Sequence, residues 1–325
     1  MTPVVATAAP PRIPLSLHVA GHCQGLERFM FSGGAYAHVD IPSVFVLLNH
    51  PVHGYCLYDT GYSQENKRQT EAWPGWVYGA IVPITIKEGH SAREQLQKQG
   101  VSPADIKYIL ISHFHGDHIG GLKDFPNAKF VYFHDSLTRL ETLAPIRQTL
   151  HAFLPGLLPA DFKRRSIALD YPTAGSLSES GIGRTIVQTP EPFGPLGQAC
   201  IDLFGDGSML VVPLPGHCTG QLGLIVRNGL VTPLSSPAGS ANPGDTGSAF
   251  MFVGDACWDS RTVQELALPH PLTFWVVHID KPAYLQTIKN LHSVWKAGQG
   301  SIEIVPAHCR SMVRKWVKPE WNSKL

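Results

Sequence analysis

Short runs of apolar and β-branched residues recur along the chain, separated by segments rich in turn-forming residues. Runs that are apolar at nearly every position indicate strands buried on both faces. The polar turn at residues 205–208 joins two such runs and predicts a hairpin. On this pattern we expect strands at residues 15–19, 43–48, 55–58, 108–111, 129–133, 200–204, 209–214, 222–227, 249–253 and 302–305.

Helical signals lie between these runs. Ser91 and Glu94 form a capping-box pattern and Gly100 stands where a helix commonly ends, which predicts a helix over residues 92–99. A longer helix is predicted to begin at Pro282, because proline is favoured in the first helical turn. Its expected apolar face carries Leu285, Ile288, His292 and Trp295. Strands and helices together predict a mixed α/β fold.

The composition narrows the classes of partner. Hydrophobic residues make up 43% of the 325 residues and charged residues 16%, a balance that can bury a sizeable core. Lys and Arg number 26 against 25 Asp and Glu, so the net charge of +1 creates no field that attracts nucleic acid or an acidic membrane surface. The chain shows neither a signal-peptide pattern nor a membrane-spanning apolar run, and we expect a soluble, cytoplasmic protein.

The domain organisation is expected to be simple. We predict a single domain over residues 1–325, of which residues 1–14 form a loose Pro/Ala-rich arm. Residues 143–193 are interrupted by proline and lack a clear period, which is typical of an insertion or lid. Residues 233–247 are rich in Pro, Gly, Ser and Ala and predict a loop.

A dense group of metal-binding residue types follows the apolar run at 108–111. The segment Ser-His-Phe-His-Gly-Asp-His places three imidazoles and one carboxylate within six residues. Imidazole nitrogen and carboxylate oxygen are ligands that Zn²⁺ favours in proteins. The motif therefore predicts a metal site at the end of a buried strand, with candidate ligands His113, His115, Asp117 and His118.

Four ligands cannot saturate two ions, and the chain supplies further candidates at the ends of other apolar runs. His217 follows one run, Asp255 follows a second and His308 follows the last. Each is a weak signal alone. Their shared position just past a predicted strand indicates that they converge with the motif at 113–118.

These motifs, together with the polar turn that begins at Asp59, resemble the metallo-β-lactamase superfamily from about residue 15 to 308. The resemblance implies a four-layer αββα sandwich with the site at one edge between two sheets. It also implies that Asp59 orients a ligand histidine. The implied ligand set is His113, His115 and His217 for one ion, Asp117, His118 and His308 for the other, and Asp255 bridging the two.

The order of these ligands is similar to that of the N-acyl homoserine lactonases within the superfamily. This resemblance implies two divalent ions, zinc by expectation and Mn, Fe or Co as alternatives. A metal-bridging hydroxide would then open a lactone or cleave a carboxylic ester, with Asp117 passing a proton to the leaving group and Asp255 holding both ions. Many of these lactonases carry a pocket tyrosine, whereas Trp258 stands three positions after Asp255 here.

Several other residues are candidates for the surroundings of the site. An apolar pocket for an acyl or aromatic group could be lined by Trp73, Trp76, Tyr78, Phe153, Leu154, Leu157 and Leu158, although ordinary core packing is the favoured interpretation of these residues. A thiolate ligand from Cys218, Cys257 or Cys309 is chemically feasible. The basic run at 163–165 is interpreted as a solvated face rather than a phosphate clamp.

Three functions remain open on the sequence. The first is a hydrolase acting on a small-molecule lactone or ester with an apolar acyl or aromatic group. The second is a phosphodiesterase or nuclease of the same fold, which the near-neutral charge disfavours. The third is a non-catalytic effector that retains the metals as a scaffold. A homodimer is compatible with each.

Overall fold

The structure is a computed structural model that describes residues 9–173, 181–183, 185–231, 248–298 and 300–317. Thirteen strands are connected through hydrogen bonds. They are β1 (Ile13–Leu26), β2 (His38–His50), β3 (Gly54–Tyr58), β4 (Ile84–Thr85), β5 (Ile106–Leu110), β6 (Lys129–Phe133), β7 (Ser166–Leu169), β8 (Thr185–Gln188), β9 (Ala199–Asp202), β10 (Met209–Pro213), β11 (Leu222–Val231), β12 (Ser248–Gly254) and β13 (Ile302–Pro306).

The α-helices within these described residues are mostly short. They are α1 (Glu27–Met30), α2 (Gln64–Gln69), α3 (Gly75–Ile81), α4 (Ala92–Lys98), α5 (Gly116–Ile119), α6 (His134–Glu141), α7 (Pro145–Leu150), α8 (Ser260–Gln264), α9 (Pro271–Val277), α10 (Lys281–Ala297) and α11 (Arg310–Trp316). Single 3₁₀ turns lie at Pro103–Asp105, Leu122–Asp124, Pro155–Leu157, Lys163–Arg165 and Gly194–Leu196.

The strands form two half-sheets. The amino-terminal half runs in the order β7-β6-β5-β3-β2-β1, and the carboxyl-terminal half contains β13, β12, β11, β10, β9 and β8. A short parallel pairing of β1 with β11, from Ile13 opposite Gly229 to Leu15 opposite Val231, joins the two halves at one edge.

The buried side chains account for the layers. Inward-facing residues of both half-sheets, such as Leu17 and Val46 from one and Val211 and Leu224 from the other, pack into a common central cluster. The outer face of the amino-terminal half packs against α3, α4 and α6, and that of the carboxyl-terminal half packs against α10. The order is helices, sheet, sheet, helices, which confirms the predicted αββα sandwich.

The predicted elements are largely confirmed, and β6 matches its predicted bounds. Ser91 and Glu94 form the expected capping box at α4. The predicted hairpin is the antiparallel pair β9 and β10. The face assigned to α10 was right at Ile288 and in part at Trp295, which packs against the outer core while partly exposed. The buried residues of the helix are Tyr284, Thr287, Ile288, Leu291 and Val294.

Two predicted segments, the arm at 1–14 and the insertion at 143–193, contain strand residues that the sequence did not predict. Strand β1 begins at Ile13, so the last two residues of the predicted arm at 1–14 belong to the sheet. The range 143–193, predicted to be an insertion, supplies the edge strands β7 and β8, which pair with β6 and β9. The predicted loop at 233–247 lies outside the described residues.

Candidate metal centre

The seven sequence-predicted ligands converge at one edge of the two half-sheets. The motif at 113–118 follows β5 and opens the buried turn α5, with His115 as its amino-terminal cap. His217 follows β10, Asp255 follows β12 and His308 follows β13. Strand ends from both half-sheets therefore deliver these side chains to one place.

The carboxylate of Asp255 lies between two groups of imidazoles. Its Oδ2 is 3.4 Å from Nε2 of His217 and 3.9 Å from Nε2 of His113. Its Oδ1 is 3.2 Å from Nε2 of His118 and 3.0 Å from Nε2 of His308. Each oxygen thus faces a different pair of histidines.

The two remaining candidates complete these groups. Nδ1 of His115 lies 3.3 Å from Nε2 of His217. Oδ2 of Asp117 lies 3.3 Å from Nε2 of His308 and 3.7 Å from Nε2 of His118. The first group therefore holds three imidazoles, and the second holds two imidazoles and a carboxylate.

The donor atoms fit cations at these two positions. Two ligands that each lie about 2.1 Å from a tetrahedral ion are separated by roughly 3.4 Å, close to the spacings described above. Nε2 of His113, Nε2 of His118 and Oδ1 of Asp255 are also buried without a conventional hydrogen-bond partner. Buried polar atoms without partners are costly, so a cation that binds them would offset that cost.

The first group is electrostatically suited to donate lone pairs. Burial lowers the pKa of His113 and of His217 well below the usual range for histidine. Burial likewise lowers the pKa of His115 to about 4. These imidazoles are therefore neutral near neutral pH, the form in which imidazole binds a metal.

In the second group, nearby carboxylates raise the pKa of His118 more than burial lowers it. Burial alone would lower the pKa of His118, but Asp117, Asp255 and Asp59 raise it well above the usual value. For Asp255, burial raises the pKa, whereas the nearby His308 and His118 lower it well below the normal range for a carboxyl group. The same buried negative charge that favours a proton on His118 would favour a bound cation.

Asp59, which the family resemblance implies as the residue that orients a ligand histidine, is hydrogen-bonded to His118. Its Oδ2 accepts a 2.8 Å hydrogen bond from Nδ1 of His118, which leaves Nε2 of that ring directed at Asp255. The backbone N–H and the hydroxyl of Ser112 also donate to the Asp59 carboxylate, at 2.7 Å and 2.8 Å. Asp59 has a left-handed backbone, with a φ of 58°.

Other histidines are oriented by partners that sequence reasoning missed. Nδ1 of His308 donates to the carbonyl oxygen of Pro42 at 2.7 Å, and Nδ1 of His113 lies 3.0 Å from the Ser112 hydroxyl. Nδ1 of His217 lies 3.2 Å from Nδ1 of His278. Only Ser112 offered a local signal, as the residue next to the motif, because the other partners are distant in sequence.

Glycines allow two of these segments to approach closely. A Cβ at Gly216 would lie 2.3 Å from the backbone nitrogen of Tyr284 at the start of α10, and its φ is 130°. A Cβ at Gly254 would lie 2.9 Å from Cβ of Ser112. Glycine therefore precedes His217 and Asp255 because each loop packs directly against a neighbouring element.

Trp258 contacts the centre through its polar atom. The indole N–H donates a 2.8 Å hydrogen bond to Oδ2 of Asp255. The ring also makes edge contacts with His217 and His308, with centroids 6.0 Å and 6.5 Å away. Trp258 thus borders both groups of candidate ligands.

The other pocket candidates lie in two environments. Phe153, Leu154 and Leu157 are buried in the core outside the amino-terminal half-sheet, and Leu158 packs against it. Trp73 and Trp76 are 65% and 50% exposed and contact each other, with ring centroids 6.2 Å apart. The structure does not bring these two tryptophans into contact with the seven candidate ligands.

One predicted cysteine adjoins the centre. Sγ of Cys218 lies 3.3 Å from Nε2 of His115, whereas Cys309 contacts Ser260 and Ser311. Cys257 is fully buried in the outer core beside α10. A thiolate contribution is therefore confined by position to Cys218.

A cavity of about 20 Å³ lies beside the first group of histidines. His115 and Cys218 line it on one side, and His151 lines it from the range predicted to form a lid.

The basic run at 163–165 forms surface ion pairs. Lys163 pairs with Glu141, and Arg164 and Arg165 both pair with Asp161.

The fold and site identify the class of protein. The family model of the metallo-beta-lactamase superfamily matches residues 40–232, more than half of the chain, including Asp59, the motif at 113–118 and His217. The chain belongs to the metallo-β-lactamase superfamily. Among the described residues, no helix is long and apolar enough to cross a membrane.

Characterised relatives place the chain among hydrolases of this superfamily. It is 26% identical over 208 residues to the N-acyl homoserine lactonase AttM of Azorhizobium caulinodans, an alignment that covers 62% of this chain and 66% of that protein. It is 25% identical over 273 residues to the lactonase AttM of Rhizobium radiobacter, covering 82% and 84% of the two chains. The predicted enzyme class, a metal-dependent hydrolase, is confirmed by these relatives.

A solved structure supports the fold. The dizinc quorum-quenching lactonase AidC, in complex with the product N-hexanoyl-L-homoserine, superposes with a TM-score of 0.56 and 16% identity. The match covers 93% of this chain and 90% of that chain.

Proposed function

We propose that the chain is a dinuclear metal-dependent hydrolase that opens a lactone or cleaves a carboxylic ester with an apolar acyl or aromatic group. One observation carries the proposal: the two oxygens of Asp255 face two separate groups of imidazoles, at distances typical of ligands around a common ion. A carboxylate in that position can bridge two cations.

The residues fit two divalent ions, zinc by preference, with Mn, Fe or Co as alternatives. When bound, such ions supply an activated water and polarise the carbonyl oxygen of the substrate. The same assignment gives Asp59 the task of fixing the His118 ring. The proposed ligands are His113, His115 and His217 for one ion and Asp117, His118 and His308 for the other, with Asp255 shared.

Asp117 is the proposed proton carrier. Its side chain is 13% exposed, whereas the side chain of His118 beside it is fully buried. A carboxylate that reaches the open side of the site could accept the proton that the attacking water loses and pass it to the leaving alkoxide as the acyl–oxygen bond breaks. No serine or cysteine nucleophile is required.

The choice of a carbonyl substrate rests on two observations. The side chains of the basic run at 163–165 pair with Glu141 and Asp161, which favours a solvated face over a phosphate clamp. Helix α3 packs on the ligand loop, because the Tyr78 hydroxyl lies 3.6 Å from the position of a Cβ at Gly116. The exposed Trp73, which precedes α3, and Trp76, which lies on it, form a proposed outer wall for an apolar group.

The lactonase names of the relatives favour lactones within this class. We therefore propose a small-molecule lactone as the first substrate to test. Four further features stay predictions: the organisation as one domain over 1–325, the lid at 143–193, the cytoplasmic location and a homodimer.

A substrate panel combined with metal analysis tests the proposal. Lactones of several acyl lengths, aryl esters, thioesters, bis-p-nitrophenyl phosphate and a cephalosporin are offered to the zinc-loaded protein. We expect two zinc ions per chain and turnover of lactones or esters. Turnover of the phosphodiester alone would favour the phosphodiesterase alternative, and turnover of no substrate would favour the effector.

Ligand variants sharpen that test. His115→Ala and Asp255→Ala should each abolish hydrolysis and lower the zinc content, whereas His134→Ala, at an exposed histidine on α6, should change neither. Full zinc occupancy together with full activity in either ligand variant would refute the assignment.

A further inference from the structure

His278 lies between α9 and α10 and contacts a proposed ligand without being one. It is 2% exposed, and its Nδ1 is 3.2 Å from Nδ1 of His217. Its other ring nitrogen, Nε2, is buried without a hydrogen-bond partner among the described residues. The contact with His217 is therefore the single hydrogen bond that this ring makes in the described part of the chain.

The hydrogen bond between the two rings requires one proton, and its position decides what His217 can do. If the proton is on Nδ1 of His217, then Nε2 of that ring presents its lone pair towards Oδ2 of Asp255. If the proton is on Nδ1 of His278, then His217 carries its own proton on Nε2 and cannot bind a cation there. Metal binding selects the first arrangement.

The surrounding structure fixes the His278 ring in place. The ring stacks on Tyr284, with centroids 3.8 Å apart and an interplanar angle of 23°. The backbone N–H groups of Ile279 and Asp280 donate to the carbonyl oxygens of His217 and Gly216, at 3.2 Å and 2.9 Å. Two backbone hydrogen bonds and one ring stack thus hold the two imidazoles in register.

We propose that His278 is a positioning residue: it accepts a hydrogen bond from Nδ1–H of His217 and so holds His217 in the tautomer that binds metal. The inference rests on the proposed dinuclear function. Nδ1 of His118 and Nδ1 of His308 each face an oxygen acceptor, on Asp59 and Pro42 respectively. Nδ1 of His217 instead faces a second imidazole, that of His278. Loss of His278 should therefore weaken one ion of the pair selectively.

Two substitutions separate hydrogen bonding from packing. His278→Phe keeps a ring that can stack on Tyr284 but removes the acceptor, and His278→Asn keeps a side-chain acceptor but loses the ring. The metal-free full-length proteins are titrated with Co²⁺, and the d–d absorption and the number of bound ions are recorded.

We expect two Co²⁺ ions in the wild type and in His278→Asn. In His278→Phe, one of the two ions should bind about 10- to 100-fold more weakly. If the ring served only packing, His278→Phe would bind both ions normally and His278→Asn would not, and that outcome overturns the inference.

The wild type distinguishes the two levels of the argument. A wild-type protein that binds no Co²⁺ overturns the proposed dinuclear function and this inference with it. A wild type with two ions and a His278→Phe variant of unchanged affinity overturns the inference alone.

A second measurement needs no variant and so covers the case in which both variants fail to fold. Long-range ¹H–¹⁵N NMR correlations of the zinc-loaded wild type report the tautomer of each histidine. We expect protons on Nδ1 of His217 and on Nε2 of His278. A proton on Nδ1 of His278 would contradict the proposal.

Discussion

The indole N–H of Trp258 donates its hydrogen bond to Oδ2 of Asp255, the same oxygen that faces His217 and His113. In the sequence, Trp258 stands three positions after Asp255 and is a candidate for the wall of the substrate pocket, because an indole offers a large apolar surface. The contact links this side chain to the orientation of the proposed bridging carboxylate as well. A tyrosine at the same position need not make this contact.

Removing the indole donor should therefore affect metal binding and substrate preference together. We predict that Trp258→Phe, which keeps an aromatic ring, lowers kcat/KM about 10- to 100-fold, because a hydrogen bond to a charged group contributes about 1.5–3 kcal/mol. Zinc content and kcat/KM over a series of acyl lengths are the measurements. Trp275→Phe, at an exposed tryptophan on α9, serves as the control. Full activity in Trp258→Phe would mean that this hydrogen bond is dispensable.

Asp59 allows a substitution that changes charge with little change of shape. Asparagine tolerates the left-handed backbone that Asp59 adopts, so Asp59→Asn should fold. We predict about 10- to 100-fold weaker zinc binding, because the amide cannot reproduce the carboxylate contacts with Ser112 and His118. Zinc content after dialysis against a weak chelator measures the effect. Asp105→Asn, at an exposed carboxylate, should retain its zinc, and equal retention in both variants would argue against the orienting role.

Gly216 tests how tightly the loop of His217 packs on α10. We predict that Gly216→Ala lowers the free energy of unfolding by about 3 kcal/mol, because the new Cβ would clash with the backbone of Tyr284. Gly100→Ala is a control for positive φ without a clash: Gly100 has a φ of 79°, against 130° at Gly216, and a Cβ there would meet nothing within 4 Å. It should cost only about 1–2 kcal/mol. Urea denaturation measures both, and equal losses would show that backbone strain alone is responsible.

His18 predicts a pH dependence of stability that is separate from the metal centre. The ring is fully buried and stacks on Phe45, and burial lowers its pKa from 6.5 to about 4. The unfolded chain therefore binds a proton more readily, so this contribution is present above pH 6.5 and is lost as the pH falls towards 4. The loss should approach about 3 kcal/mol.

The measurement is denaturant unfolding of the metal-free protein between pH 4 and 8, compared with His18→Leu. Histidines of the metal centre contribute in both proteins, so the difference between the two curves isolates His18. We expect the stability of the variant to fall less steeply below pH 6.5. Parallel curves would show that His18 titrates alike in the folded and unfolded states.

Much of the fold was accessible from the sequence because the central strands are buried on both faces. Strand β10 is apolar throughout, and β6 and β9 are apolar at all but one position, a pattern typical of buried strands. The edge strands β7 and β8 are partly exposed, so their residues lack this signal. Pairing with a neighbour defines them, and pairing is not encoded locally.

The buried face of α10 shows a second limit. The predicted apolar face and the observed buried face of this helix share Ile288. The predicted face continues to His292, whereas the buried face continues to Leu291. Both faces carry apolar residues at helical spacing, so the period alone could not choose between them. The choice is made by the outer face of the carboxyl-terminal half-sheet, against which Leu291 packs.

At the candidate metal centre, the sequence identified residues that lie within motifs but missed His278, which contacts one of them. Three imidazoles and a carboxylate in the run from His113 to His118 form a dense signal, and Asp59 was identified through a family pattern. His278 is one histidine among 16 and belongs to no motif. Its relation to His217 arises only when α10 folds back against the loop at Gly216.

The division of the proposed ligands between the two half-sheets has a consequence for assembly. Each ion would draw on both halves, since His113 and His115 come from one and His217 from the other, while His118 and His308 are divided in the same way. Neither half could complete a coordination shell before the two had met. Metal binding would therefore follow the docking of the two half-sheets during folding. The bound ions would then link the half-sheets at the edge that carries the proposed site.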